Sequence, residues 1–174
     1  YDVPRIAFIN KMDKTGADFF MSLETIHKRL SKEAVAIQLP IGAENEFMGM
    51  VDIVENKAYN FEGQMGEKVI EVDVPADMAD QIQEYKAILI EKVAENDDIL
   101  MDKYLGGEDI STEELKAGIR RATVASKIYP VLCGTALQNK GVQKVLDAVS
   151  DYLPSPVDIG TIEGTDPDTD EPKV

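Results

Sequence analysis

Four consecutive residues near the start of the chain, Asn10-Lys11-Met12-Asp13, combine side chains that suit recognition of a purine base. They follow a short apolar run and precede a helical pattern, and ligands bind at such strand ends in open α/β sheets. An ionised Asp13 would accept hydrogen bonds from both the N1–H and the 2-amino group of guanine, whereas adenine offers no such pair. Asn10 would tie the loop together, and Lys11 would lay its alkyl stem along the base. A solvated strand-to-helix turn explains the same spacing equally well.

A second small-residue segment, Gly134-Thr135-Ala136 followed by Leu137, could complete the edge of such a base. It comes directly after an apolar run at residues 129–133, and small residues allow a close approach of the backbone to a ligand. A backbone N–H near Ala136 would serve the 6-oxo group of guanine. Taken alone, this segment is also typical of a simple turn between a strand and a helix.

The surrounding residues predict the elements that hold these two loops. Residues 1–40 read as strand, helix and strand, with Asp18 as the helix cap, and residues 34–39 as the second strand. This pattern predicts a βαβ unit and therefore a parallel sheet. Residues 129–156 add another strand and a helix. The two loops lie about 125 residues apart, far more than one crossover needs.

The residues between them, 41–128, are therefore predicted to form an insert. Short β-like pieces within residues 47–74 predict a small antiparallel sheet, and three helical patterns follow. Ser111 and Glu114 have the spacing of a capping box at the start of the third helix. The last segment, residues 157–174, is acidic and rich in Gly and Pro, which is typical of a linker.

Composition excludes several classes of protein. The 174 residues carry a net charge of −15, so we expect no unspecific grip on DNA or RNA. There is no apolar run of membrane-spanning length and no visible leader, and the single Cys and single His make a structural zinc site unexpected. We predict a cytoplasmic protein with no membrane contact and no metal-ligating residues of its own.

Longer segments resemble the elongation factor G family of bacterial translational GTPases. Residues 8–19 are similar to its fourth guanine-nucleotide motif, and residues 133–143 to its fifth, with Thr135 where that family usually has serine. Residues 37–49 resemble the entry to its inserted subdomain, and residues 152–156 the exit toward its second domain. The resemblance runs from about residue 4 to residue 156.

This resemblance implies a fold, a site and partners. The fold would be α/β: the base-recognising part of a P-loop-NTPase-type G domain, residues 1–40 and 129–156, carrying an inserted α+β subdomain at residues 41–128. GTP or GDP would be the ligand, and the ribosome and its stalk protein the partners, with tRNA–mRNA translocation as the function. The implied guanine contacts are Asn10, Lys11, Asp13, Thr135, Ala136 and Leu137.

The phosphate-binding half of such a site is missing from the sequence. It contains no G-x-x-x-x-G-K-[ST] segment, and the D-x-x-G at residues 13–16 overlaps the base motif. Because the chain begins with Tyr1, we expect an internal fragment that lacks the Mg²⁺ ligands and hydrolyses no GTP alone. The alternatives are a non-catalytic protein-interaction module and a related translational GTPase, such as a ribosome-protection or recycling paralogue.

Overall fold

The computed structural model describes residues 3–159 and the backbone of two short strands beyond them, at 164–165 and 172–173. In chain order the elements are β1 (Ala7–Ile9), α1 (Phe19–Arg29), β2 (Ala34–Ala36), β3 (Gln38–Ile41), β4 (Gly49–Asp52), β5 (Lys57–Glu62), β6 (Lys68–Val72), α2 (Ala79–Ala94), α3 (Asp98–Gly106), α4 (Thr112–Val124), β7 (Tyr129–Cys133), α5 (Val142–Tyr152), α6 (Pro156–Ile159), β8 (Gly164–Thr165) and β9 (Pro172–Lys173).

The first sheet is parallel and has the strand order β1-β7-β2. Helix α1 crosses between β1 and β2, and Asp18 caps it by accepting the N–H of Met21 at 2.9 Å. The predicted parallel sheet is therefore confirmed. β7 lies between β1 and β2 although four strands and three helices separate it from β2 in the chain. The loops after β1 and β7 are therefore neighbours at one sheet edge.

The second sheet is antiparallel, with the order β3-β4-β5-β6, which confirms the predicted fold class. One expectation about the strands was wrong. Residues 34–39 do not form a single strand, because the run is divided at Ile37 between the two sheets. The N–H of Ile37 donates to the Val131 carbonyl at 3.0 Å, and its carbonyl accepts the N–H of Ile53 at 3.1 Å. The start of the insert, predicted after residue 40, stays a prediction, and β3 spans that point.

Three helices, α2, α3 and α4, follow the antiparallel sheet. The predicted capping box is present: Ser111 accepts the N–H of Glu114 at 3.3 Å, and Glu114 accepts the N–H of Ser111 at 3.0 Å. The two sheets and the helices share one hydrophobic core. It includes Val131 and Leu132 from the parallel sheet, Leu39 and Val51 from the antiparallel sheet, and Leu115 from α4.

Helix α5 buries only part of its apolar side chains. Ala148 and Tyr152 are buried and Val145 packs against the core, whereas the apolar side chains of Leu146 and Val149 are exposed. The predicted linker, residues 157–174, lies mostly outside the described residues. Of this segment the structure describes the end of α6 and the antiparallel pairing of β8 with β9.

Candidate functional site

The two predicted loops meet at the carboxyl ends of β1 and β7. Ile9 and Cys133 are partners in the parallel register, and each loop begins just after them. The N–H of Gly134 donates to the Ile9 carbonyl at 3.1 Å, and the N–H of Met12 donates to the Gly134 carbonyl at 3.1 Å. The Met12 side chain is buried beneath this junction. The backbone thus joins the two loops before any side chain contributes.

Asn10 adds a side-chain link between the loops. Its Oδ1 atom accepts the N–H of Lys11 at 2.8 Å and the N–H of Ala136 at 3.0 Å. The Ala136 N–H, which the sequence suggested as the donor to a 6-oxo group, therefore donates to Asn10 in this structure. Asn10 thus links the two loops, and its contact with a base stays a prediction.

The Asp13 side chain is only 7% exposed. Its Oδ2 atom accepts hydrogen bonds from Lys14 Nζ at 2.8 Å and from Gln138 Nε2 at 3.1 Å. The Lys14 ammonium, and after it the Thr135 hydroxyl, hold the pKa of the Asp13 carboxyl below its ordinary value, so the group is ionised at neutral pH.

The other oxygen of this carboxylate, Oδ1, is buried and has no hydrogen-bond partner among the described residues. A buried acceptor of this kind costs free energy, which a ligand that supplies N–H donors would recover. Guanine carries such donors at N1 and at its 2-amino group. The N–H donors of guanine therefore match the unpartnered Oδ1 atom of Asp13, in agreement with the base that the sequence indicated.

The remaining predicted residues lie in the two loops that meet here. Thr135 is buried, and its backbone N–H and carbonyl pair with Lys140 at 2.9 and 3.1 Å. Lys11 and Leu137 are exposed, and Lys11 has a left-handed backbone, with φ of 65°. The structure brings all six predicted residues to one edge of the sheet, while their contacts with a base stay predictions.

The loop after β7 depends on a glycine. A methyl group at Gly134 would lie 2.4 Å from the Lys140 carbonyl oxygen and 2.9 Å from the Phe8 ring. Neither distance is compatible with a Cβ atom, so the tight return of this loop requires glycine at this position. The sequence had suggested glycine for access by a ligand, whereas the structure shows a constraint from the loop itself.

Three residues of the site were not singled out from the sequence. Lys14 and Gln138 hold Asp13, and Glu44 accepts the N–H of Gly16 at 2.7 Å. Lys14 and Gln138 lie within the motif segments, so polar side chains next to the predicted contacts were the available signal. Nothing in the local sequence points to Glu44, because its partner is distant in the chain.

Within the part of the chain that the structure describes, no helix has the length and apolar character needed to cross a lipid bilayer.

The chain is similar to known proteins over most of its length. The family described as "Elongation factor Tu GTP binding domain" matches residues 1–155. Among solved structures, a protein from Thermus thermophilus is similar to this chain, with a TM-score of 0.81 and 28% sequence identity. That match covers 93% of this chain and 24% of the Thermus chain, so this chain spans about a quarter of its length.

Proposed function

This chain belongs to the elongation factor Tu GTP-binding domain family, and on that premise we propose that it is the guanine-recognising part of a translational GTPase. The observation that carries the proposal is Asp13, an enclosed and ionised carboxylate whose Oδ1 atom has no hydrogen-bond partner in the described part of the chain. It lies where the carboxyl ends of two parallel strands meet, beside the loop that holds Thr135 and Ala136. A donor pair on guanine would satisfy it, and adenine would leave it unpaired.

The finer proposal is that the whole protein is a translocation factor of the elongation factor G type, acting on the ribosome in the cytoplasm. The resemblance of residues 4–156 and the additional antiparallel sheet with its three helices support this assignment. Hydrolysis of GTP would need phosphate and Mg²⁺ ligands that the 174 residues do not supply as a motif. We therefore expect the chain alone to bind GDP weakly and to hydrolyse no GTP.

The partner proposed for the insert is the ribosomal stalk protein. Helix α3 exposes three apolar side chains, those of Ile99, Tyr104 and Leu105, which suits a protein contact more than solvent. Amide shifts confined to α3 and its neighbours on titration with stalk protein would support this contact. An absence of binding at millimolar stalk protein would contradict it. If guanine binding also failed, the chain would have neither of the two binding roles proposed here.

Base selectivity tests the proposed function directly. We expect GDP, added to the ¹⁵N-labelled chain, to shift the amides of Asn10–Asp13 and of Thr135–Leu137 at millimolar or lower concentration. ADP at the same concentrations should leave these amides in place, because it has no donor pair for Asp13. ADP carries the same diphosphate, so it serves as the matched ligand control. Equal shifts with ADP and GDP would contradict base recognition by this site.

A further inference from the structure

We propose that Glu44, which lies in the loop after β3, is a positioning residue of the base site. This inference rests on the proposed function and adds a residue that the two nucleotide motifs do not contain. Glu44 touches no part of the base in this proposal. It acts through the loop that carries Asp13, and it does so from the second, antiparallel part of the fold.

Two hydrogen bonds from Glu44 grip that loop on either side of Asp13. The backbone N–H of Glu44 donates to the Met12 carbonyl at 2.8 Å, and its Oε1 atom accepts the N–H of Gly16 at 2.7 Å. From Lys11 to Ala17 the loop makes two successive turns, in which the N–H groups of Lys14 and Ala17 donate to the carbonyls of Lys11 and Lys14 at 3.0 Å each. Glu44 therefore fixes both ends of the segment that aims the Asp13 carboxylate.

The backbone around Glu44 is shaped for this double contact. Glu44 has a φ of 53°, a left-handed conformation that residues other than glycine seldom adopt. Gly42, two residues earlier, has a φ of 76°, and a methyl group there would lie 2.1 Å from the Glu46 carbonyl oxygen. A strained residue within such a compact turn is the kind of outlier that points to a functional constraint. Here the turn directs one N–H and one carboxylate at the same loop.

The same part of the fold also holds the second base loop. Gln143 Nε2 donates to the Gly66 carbonyl at 3.0 Å, and Lys140 Nζ donates to the Phe47 carbonyl at 3.4 Å. Gly66, in the turn between β5 and β6, is so close that a methyl group there would lie 2.5 Å from the Gln138 carbonyl oxygen. Both base loops therefore rest against the antiparallel part of the chain. Glu44 supplies a side-chain hydrogen bond from this part to the Asp13 loop.

Three variants of the complete chain separate positioning from folding. Glu44→Ala removes the acceptor for the Gly16 N–H, and Glu44→Gln keeps an oxygen there. Glu46→Ala is the matched control, because Glu46 is a carboxylate of the same turn with no side-chain hydrogen bond among the described residues. The nucleotides are GDP and inosine diphosphate, which lacks the 2-amino group, so their affinity ratio reports how well Asp13 is aimed.

We expect Glu44→Ala to weaken GDP binding roughly five- to tenfold, the loss typical of one hydrogen bond. The ratio of GDP to inosine diphosphate affinity should fall toward one, and hydrogen exchange of the Gly16 amide should speed up. Glu44→Gln should bring the GDP affinity, the affinity ratio and the exchange rate most of the way back to those of the unsubstituted chain. Glu46→Ala should leave all three unchanged. A purely structural role would lower the folded fraction but leave the affinity ratio of the folded chain intact.

Two results would overturn the proposal. One is unchanged exchange of the Gly16 amide in Glu44→Ala; the other is weakened GDP binding with an unaltered ratio to inosine diphosphate. Failure of the unsubstituted chain to bind GDP is a different outcome, because it contradicts the proposed function itself. Exchange at Gly16 in the three variants would then decide by itself whether Glu44 holds the loop.

Discussion

At the scale of single residues, the site depends on one carboxylate whose two oxygens have different surroundings. Oδ2 of Asp13 is held by Lys14 and Gln138, whereas Oδ1 is buried without a partner among the described residues. The held oxygen fixes the orientation of the group, and the other supplies the acceptor for a ligand. Under the proposed function, this division would let Asp13 select a base that supplies N–H donors, which an exposed carboxylate of the same charge would do less well.

The substitution Asp13→Asn tests the role proposed for the two Asp13 oxygens. Asparagine places an N–H₂ donor in the site, which suits the 2-oxo group of xanthine and opposes the donors of guanine. We expect GDP affinity to fall at least about tenfold, as for the loss of a charged hydrogen bond of about 1.5–3 kcal/mol, and xanthosine diphosphate to become the preferred ligand. NMR titration with GDP and with xanthosine diphosphate measures the two affinities. Asp102→Asn, on the exposed surface of α3, is the matched control. An unchanged preference for GDP would contradict the role of Asp13.

The sequence was informative about this site only where the chemistry is local. The spacing of Asn10, Lys11 and Asp13 after an apolar run predicted a loop at a strand end, and the structure places it there. Gln138 reaches Asp13 across 125 residues and Glu44 reaches Gly16 across 28, so no local pattern could reveal these contacts. Likewise, the hydrogen bond from the Ala136 N–H to Asn10 depends on how the two loops lie against each other, which the sequence does not show.

At the scale of elements, caps were predictable and packed faces were less so. Ser111 and Glu114 identify their own helix end, because both partners lie within one turn. The apolar stripe of α5 predicts an amphipathic helix but not what covers it. In the described residues the helix buries Ala148 and Tyr152 instead, so Leu146 and Val149 face outward.

The capping box of α4 makes a prediction about pH. Hydrogen bonds from Lys103 and then from Ser111 lower the pKa of the Glu114 carboxyl to about 2. Because the folded pKa is below the unfolded value, Glu114 stabilises the fold above about pH 4.5 and loses that contribution as the pH falls toward 2. An NMR titration of the Glu114 carboxyl should give its midpoint near 2. Lys103→Met should raise this midpoint, and an ordinary midpoint in the unsubstituted chain would contradict the arrangement.

At the scale of the whole molecule, the two sheets are parts of one packed unit. Ile37 belongs to the hydrogen bonding of both, and a single core includes residues from each. Arg120 of α4 adds a further connection, because it donates to the carbonyls of Ser150, Asp151 and Leu153 at 3.0–3.2 Å, at the end of α5. The sequence predicted two parts from their different patterns, but a continuous apolar run cannot show where it passes from one sheet to the other.

This continuity predicts that the described part of the chain unfolds in one cooperative transition. Leu132→Ala in β7 and Leu115→Ala in α4 each empty a fully buried position, so each should lower the free energy of unfolding by about 2–5 kcal/mol. Because the core is shared, either substitution should shift the urea midpoint equally for amides of both sheets, followed by NMR at Val131 and Val51. Leu30→Ala is the matched control, since the Leu30 side chain is 80% exposed and its loss should change the midpoint little. Separate midpoints for the two sheets would show that each part folds by itself. The antiparallel part would then stabilise the base loops less than their contacts with Glu44 and Gly66 imply.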